Sequence, residues 1–333
     1  MNASHPETQA HDSRDIVLVV DLDGTLCLSD TLHESLLALA GTRPLALFQV
    51  PKWLSEGRAG FKARLADEGV VPPDELPMNE GVIALVKAAR AEGRRTALVS
   101  AADHRQVTAV AEATGLFDEA YGSAEGTNLK GAAKASFLIE HYGPKKFDYV
   151  GDSDADLPVW NAARQAISVR AQPRLRQAML QANPSSHHID PPEPRLPAMW
   201  RALRPHQWSK NLLMFLPALA AQDLSSLLPI LLGFVAFCLT ASSVYVINDL
   251  LDLAADRAHP RKRLRPFAAG DLSVTTGIAM AAGLLLAALI FGLFTGNPLF
   301  LLTLLMYLIA TFAYSIWLKR KLIVDVLTLA GLY

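Results

Sequence analysis

Residues 16–26 read IVLVVDLDGTL. Ile16 to Val20 is a short, mostly β-branched apolar run, the pattern of a strand buried on both faces of a parallel sheet. It delivers two acids, Asp21 and Asp23, at its carboxyl end. In an open α/β sheet, ligands and chemistry gather at that end of the strands. Asp21 is placed to attack a phosphorus atom and form an aspartyl-phosphate. Asp23 is placed to act as general acid and then base, and Gly24 permits the tight turn that follows.

Three further elements follow in order. Residues 96–99 read as a strand ending at Ser100, whose hydroxyl can bond a phosphoryl group. Lys130, in NLKGAAKA (128–135), sits near a predicted helix start and can neutralise charge there. Residues 147–150 read as a strand leading into GDSDAD (151–156), where Asp152 is expected to ligate Mg2+ with Asp156 in support. Together these elements resemble the four motifs of the haloacid dehalogenase superfamily, over about residues 15–175. The resemblance implies an α/β Rossmann-like domain, drawn at 15–182, with a helical cap at about 27–78. It implies Asp21, Asp23, Ser100 and Lys130 as catalytic residues, and Mg2+ held by Asp21, Asp23, Asp152 and Asp156. The presence of Asp23 matches the phosphatases and phosphotransferases rather than the dehalogenases. In the cap, Arg58 and Lys62 are helix-spaced and are read as a solvated face rather than a ligand site.

The chain has 333 residues, which suits about two domains. A net charge of −1 gives no electrostatic ground for nucleic-acid binding. Residues 1–14 are polar and predicted to be disordered, without the apolar core of a secretory signal. The two cysteines, Cys27 and Cys238, exclude a disulfide framework or a cysteine metal site. Charges are frequent up to Arg204 and sparse beyond Asn211. Three runs, 227–247, 274–294 and 298–317, approach the length that crosses a bilayer, and a weaker one at 206–222 precedes them. Lys and Arg cluster before the first span, between the second and third, and after the fourth, while the loops around Asp223 and Asn297 hold none. That alternation predicts a cytoplasmic (inner) membrane location, with the N-terminal domain and the basic loops in the cytoplasm.

At the end of the second span, residues 248–256 read NDLLDLAAD. Asp249, Asp252 and Asp256 recur at one helix face, a costly cluster unless a cation occupies it. Mg2+ suits such carboxylates and bridges to phosphates. Arg261, Lys262 and Arg265 follow within ten residues and can hold a diphosphate. NDLLDLAADRAHPRKRLRPFAAG (248–270) resembles the first signature of UbiA-type prenyltransferases, and Tyr314 and Lys319 in AYSIWLKRK resemble their tyrosine–lysine element. The resemblance implies an all-α multi-pass transmembrane bundle over 199–333, with Asn248 in the substrate site and Mg2+ on the aspartates.

LRPHQWSKN (203–211) resembles the opening of decaprenyl-phosphate phosphoribosyltransferases, which implies that Lys210 and Asn211 line the cavity. A second aspartate box is expected after Lys321, where Asp325 alone appears, so a longer C-terminal part with about five more helices is expected. Two substrate pairs stay open. One is phosphoribosyl pyrophosphate with a polyprenyl phosphate, which the opening motif favours. The other is a prenyl diphosphate with an aromatic acceptor. A membrane-anchored phosphatase with a non-catalytic helical half is a further alternative. Residues 183–198, with five prolines, read as a semi-rigid linker, and His187 and His188 within it are not read as a metal site.

Overall fold

The computed structural model describes residues 15–55, 57–124, 127–189, 195–222, 225 and 227–316. Residues 1–14, Lys319 and Asp325 lie outside these. The chain divides into two units, one of Met1–Ser35 and Gln49–Glu193, the other of Leu36–Phe48 and Pro194–Tyr333.

The first unit is built on six parallel strands: β1 (Val17–Val20), β2 (Thr96–Asp103), β3 (Glu119–Ser123), β4 (Phe147–Gly151), β5 (Ala166–Val169) and β6 (Ser186–Ile189). Their order is β3-β2-β1-β4-β5-β6, the doubly wound arrangement. β1 pairs with β2 on one side (Val20 opposite Leu98) and with β4 on the other (Val20 opposite Val150). The order therefore reverses beside β1, and the crevice at its carboxyl end is where such folds bind ligands. Alternation along the strands feeds two cores. Leu18, Val20, Leu98 and Val150 pack on one face, and Val17, Val19, Val99, Phe147 and Tyr149 pack with Trp160 on the other. At the opposite end of β4, fully buried Asp148 accepts from Arg94 at 2.6 Å and Arg164 at 2.6 and 2.8 Å.

Two sequence expectations need correction here. The segment 183–198 is not only a linker, because Ser186–Ile189 adds the sixth strand, in register with Ala166–Val169. The pairing is helped by a 2.7 Å bond between Ser168 Oγ and His188 Nδ1. The segment 27–78 is helical, with α-helices at Thr31–Thr42, Val50–Ser55 and Gly57–Glu68, but Leu36–Phe48 groups with the second unit. The rest of the segment is tied to the first unit. Gln106 exchanges two 2.9 Å bonds with the backbone of Val71, and Lys62 Nζ donates to Ala101 O at 2.5 Å, so Lys62 is not merely solvated.

In the second unit, Leu227–Leu251 and Val274–Phe294 are the two described helices long and apolar enough to cross a membrane. A third, Pro298–Ile316, is apolar but shorter over its described side chains. Small residues let the pair close. Ser243 Oγ donates to Ala281 O across the two helices at 3.0 Å. A Cβ on Gly277 would stand 3.0 Å from Leu250 Cδ1 of the facing helix. The expected span at 206–222 is not one α-helix. A 3-10 stretch, Pro205–Phe215, is followed by a six-residue α-helix, Leu216–Ala221. Pro205 and Pro217 sit near the start of each piece, where their missing N–H is tolerated and a fresh start is favoured.

Candidate active sites

β1 ends at Val20 and β4 at Gly151, so Asp21 and Asp152 emerge side by side at the switch point. Ligand oxygens of Asp21, Asp152 and Asp156 all lie within 4.8 Å of one another. Asp156 is fixed by its surroundings. It accepts from Tyr149 OH at 2.8 Å, from Ser153 Oγ at 3.0 Å, and from the N–H groups of Ser153 and Asp152 at 3.2 and 3.3 Å. Gly24, at φ +75°, makes room for this arrangement, since a Cβ there would lie 2.1 Å from Asp152 Oδ2.

The cation at this cluster is Lys134, not Lys130. Lys134 Nζ is 2.9 Å from Asp21 Oδ1 and 3.8 Å from Asp156 Oδ1, and it donates to Tyr149 OH at 2.8 Å. Lys130 is exposed. The reason is local: Gly131 at φ 58° turns the chain into the helix Ala132–Tyr142, whose first turn carries Lys134 inward while Lys130 stays before the turn. The second lysine of NLKGAAKA was the signal that could have identified it.

Asp23 also departs from expectation, because its carboxylate is not in the oxygen cluster. It accepts the Thr31 N–H at 2.8 Å. Burial, reinforced by Asp30, pushes its pKa up to about 7. Ser100 is buried at the end of β2, where its Oγ accepts from Ala102 N–H at 3.1 Å.

Electrostatics favours a cation at the cluster. Burial, then the charges of Asp156 and Asp21, pushes Asp152 well above the usual carboxylate range. Burial raises Asp21 too, with Lys134 opposing it. Burial alone would depress Lys134, but Asp21 and Asp156 outweigh it and hold its pKa up. One ammonium among three carboxylates leaves negative charge uncompensated, and an all-oxygen donor set fits Mg2+.

In the second unit the aspartate helix is interrupted at Asp252, between Leu227–Leu251 and Leu253–Ala258. The bonds Asp252 N to Asn248 O (3.0 Å) and Asp256 N to Asp252 O (2.8 Å) carry the turn through. Asp249 and Asp256, both buried, therefore meet at Arg265, whose NH1 lies 3.2 Å from Asp249 Oδ1 and 2.6 Å from Asp256 Oδ2. Lys262 Nζ is 3.9 Å from Asp256. Arg261 is exposed.

Sequence reasoning missed Arg204, whose NH2 bonds Asp249 Oδ1 at 2.5 Å. Asn211 Nδ2 reaches Cys238 Sγ at 3.2 Å, while Lys210 is exposed and Tyr314 half-buried. The buried Oδ1 of Asn248, next to Asp249 in the chain, has no hydrogen-bond partner in the described structure, so an acceptor is left unused there. Carboxylates, an unused amide oxygen and a basic rim fit a hydrated Mg2+ carrying phosphate oxygens.

A doubly wound sheet with acids at its switch point, followed by apolar helices bearing an aspartate box, defines a chain of two enzyme-type domains. Residues 18–160 match the haloacid dehalogenase-like hydrolase family and residues 212–333 match the UbiA prenyltransferase family, so the chain joins a domain of each. Uncharacterized protein y4nM of Sinorhizobium fredii is 39% identical over 330 residues, 96% of this chain and 62% of that protein. Nodulation protein NoeC of Azorhizobium caulinodans is 40% identical over 134 residues, 40% of this chain and 43% of that one. Decaprenyl-phosphate phosphoribosyltransferase of Mycolicibacterium smegmatis is 37% identical over 146 residues, 41% of this chain and 45% of that one. The chain thus spans less than two thirds of the length of each of these relatives.

Proposed function

We propose that the helical unit transfers a phosphoribosyl group from phosphoribosyl pyrophosphate to a polyprenyl phosphate, and that the soluble unit is a phosphatase. The observation that carries the first part is the convergence of Asp249 and Asp256 on Arg265. Likeness to the mycobacterial phosphoribosyltransferase supports the donor and acceptor. The aspartates would hold the Mg2+ that receives the donor's diphosphate end, and Arg261, Lys262 and Arg265 stabilise the charge that develops as it leaves. Lys210, Asn211, Tyr314, Lys319 and Asp325 are proposed to complete the substrate site.

In the soluble unit, Asp21 attacks the phosphorus and the ester oxygen departs with a proton from Asp23. Asp23 then takes a proton from the water that hydrolyses the aspartyl-phosphate. A group titrating near 7 is suited to both duties. Lys134 fixes Asp21 and offsets its charge. Mg2+ held by Asp21 and Asp152 in one site, and by Asp249, Asp252 and Asp256 in the other, supplies positive charge that lets phosphate oxygens approach carboxylates.

Exposed apolar side chains, among them Leu286, Ile290, Phe294, Leu302, Met306 and Ile309, support a membrane setting for the helices. The loop basic residues support placing the soluble unit in the cytoplasm. Transfer from phosphoribosyl pyrophosphate leaves a phosphomonoester on the lipid-linked ribose, and that is the class of bond the phosphatase cleaves.

The test uses membranes from cells expressing the protein, given labelled phosphoribosyl pyrophosphate, polyprenyl phosphate and Mg2+. Label should enter the lipid phase and should be lost with Asp249→Asn. Transfer from a prenyl diphosphate to an aromatic acid, with no lipid-phase ribose, would overturn the choice of substrates.

A further inference from the structure

Arg204 is held by an unusual amount of structure for one surface arginine. Its backbone is left-handed, at φ 51° and ψ 56°, a conformation that costs free energy for any residue with a Cβ. The turn is pinned on both sides. Ser242 Oγ donates to Leu203 O at 2.8 Å, Trp208 Nε1 donates to Ser242 Oγ at 2.9 Å, and Gln207 N–H donates to Arg204 O at 2.9 Å. The guanidinium lies over the Tyr245 ring, 5.2 Å from its centroid, and one of its nitrogens meets Asp249 at 2.5 Å. Asp249 is nearly inaccessible, with its side chain 4% exposed, whereas Arg204 is 22% exposed. The strain in the backbone thus serves to bring a partly solvated cation to a buried carboxylate.

Arg204 and Arg265 both bond the same oxygen, Asp249 Oδ1. Those two cations occupy the carboxylate that the proposed function gives to a metal ion. A divalent cation on Asp249 competes with that guanidinium charge, directly where it binds through Oδ1 and by like-charge repulsion where it binds through Oδ2. A guanidinium fork matches phosphate oxygens as well as it matches carboxylate.

We infer that Arg204 has two alternating partners: Asp249 when the site is unloaded, and the donor's diphosphate when it is loaded. It is a substrate-binding residue that stands in for the metal between turnovers. This rests on the reading of Asp249 and Asp256 as holders of metal and diphosphate. Two consequences of opposite sign follow. Removing the Arg204 charge relieves competition for Asp249, so metal alone binds more tightly. It also removes a charge-assisted bond, so diphosphate binds less tightly.

The test is made on the detergent-purified full chain, with the soluble site silenced in every sample by Asp21→Asn and Asp152→Asn. Mn2+ binding is followed by the resonance signal of free Mn2+, and inorganic pyrophosphate binding is then measured at saturating Mn2+. Arg204→Gln should tighten Mn2+ by about tenfold and weaken pyrophosphate by about tenfold. Both constants unchanged, or both shifted in the same direction, would mean that Arg204 only braces the turn, and the inference falls.

Asp249→Asn separates the two levels. If it leaves Mn2+ and pyrophosphate binding intact, the reading of the aspartate box itself fails. If it abolishes them while Arg204→Gln moves neither, only the role of Arg204 fails. Should Arg204→Gln not fold by its melting curve, Arg204→Lys takes its place. The ammonium keeps the charge but lacks the fork, so pyrophosphate should weaken by about threefold with Mn2+ unchanged. Equal pyrophosphate binding would overturn the inference.

Discussion

In the soluble unit three clustered carboxylates meet one buried ammonium, whereas in the helical unit Asp249 and Asp256 meet the guanidinium groups of Arg204 and Arg265. The first cluster is short of positive charge and its Asp152 is driven toward its neutral form. The second carries matching cations from its own chain. The first arrangement leaves negative charge for an added cation to offset, whereas the second already holds cations of its own that a ligand would have to displace. Carboxylates at similar depth can serve phosphate chemistry in either way, and the cations around them decide which.

The largest expected effect separates the two sites outright. Asp21→Asn should lower phosphatase turnover by on the order of 10⁴-fold, as loss of a nucleophile does, while labelled ribose still enters lipid at the wild-type rate. Loss of both activities together would break the division of labour.

Next is the charge deficit itself. Lys134→Ala removes the ammonium from a buried cluster and should destabilise the soluble unit by about 3–5 kcal/mol in the absence of metal. Lys130→Ala, at an exposed position, should stay within about 0.5 kcal/mol. Chemical denaturation with a chelator present measures both. Equal effects would return the role to Lys130.

A third expectation concerns metal. Saturating Mg2+, at about 100 times its dissociation constant, should stabilise the wild-type soluble unit by about 2.7 kcal/mol. Asp152→Asn should lose most of that increment and, in chelator, be more stable than wild type, because a carboxyl group whose ionisation is penalised by burial, Asp156 and Asp21 is gone. A metal increment surviving in the variant would show that the cation is bound elsewhere.

The smallest effect comes from carboxylates whose partners are already supplied. Asp118 is held below its usual pKa because the Thr96 N–H and Arg90 outweigh burial. Glu119 is likewise held down, by Tyr142 and Arg95 against burial. Depressed values mean that this stabilisation is present above the unfolded carboxylate range and is lost as pH falls through the folded values. Glu119→Gln should therefore flatten the acid limb of the stability profile below about pH 4. An unchanged acid limb in melting curves would contradict the assignment.

Much of this was legible in the sequence, because each legible feature is local. The apolar run 16–20 ending in Asp21, and the run 147–150 ending before Asp152, declare neighbouring strands and acids at their ends. The haloacid dehalogenase-like and UbiA signatures are equally contiguous. What could not be read depends on how distant segments meet. Lys130 and Lys134 are alike in sequence, and only the turn at Gly131 decides which one enters the site. Arg204 is separated from Asp249 by 45 residues, and an arginine before a proline carries no sign of its partner. The strand Ser186–Ile189 is short, polar and followed by prolines, so composition marked it as linker. Its pairing with β5 comes from the sheet, not from propensity. The run 206–222 is apolar enough to suggest a span, but Pro205 just before it, Pro217 within it, and Gln207, Ser209, Lys210 and Asn211 favour a tighter, irregular path.

The place where the Asp152 carboxylate comes within 2.1 Å of a Cβ built on Gly24 has a genetic consequence. Every missense change of a glycine codon adds a Cβ, so this codon has no conservative neighbour. Even the smallest replacement, alanine, would push on Asp152 through a backbone already at positive φ. Deep mutational scanning for phosphatase activity should therefore find codon 24 depleted of all substitutions alike, large or small. Such an all-or-none profile marks a position chosen for the atom it lacks.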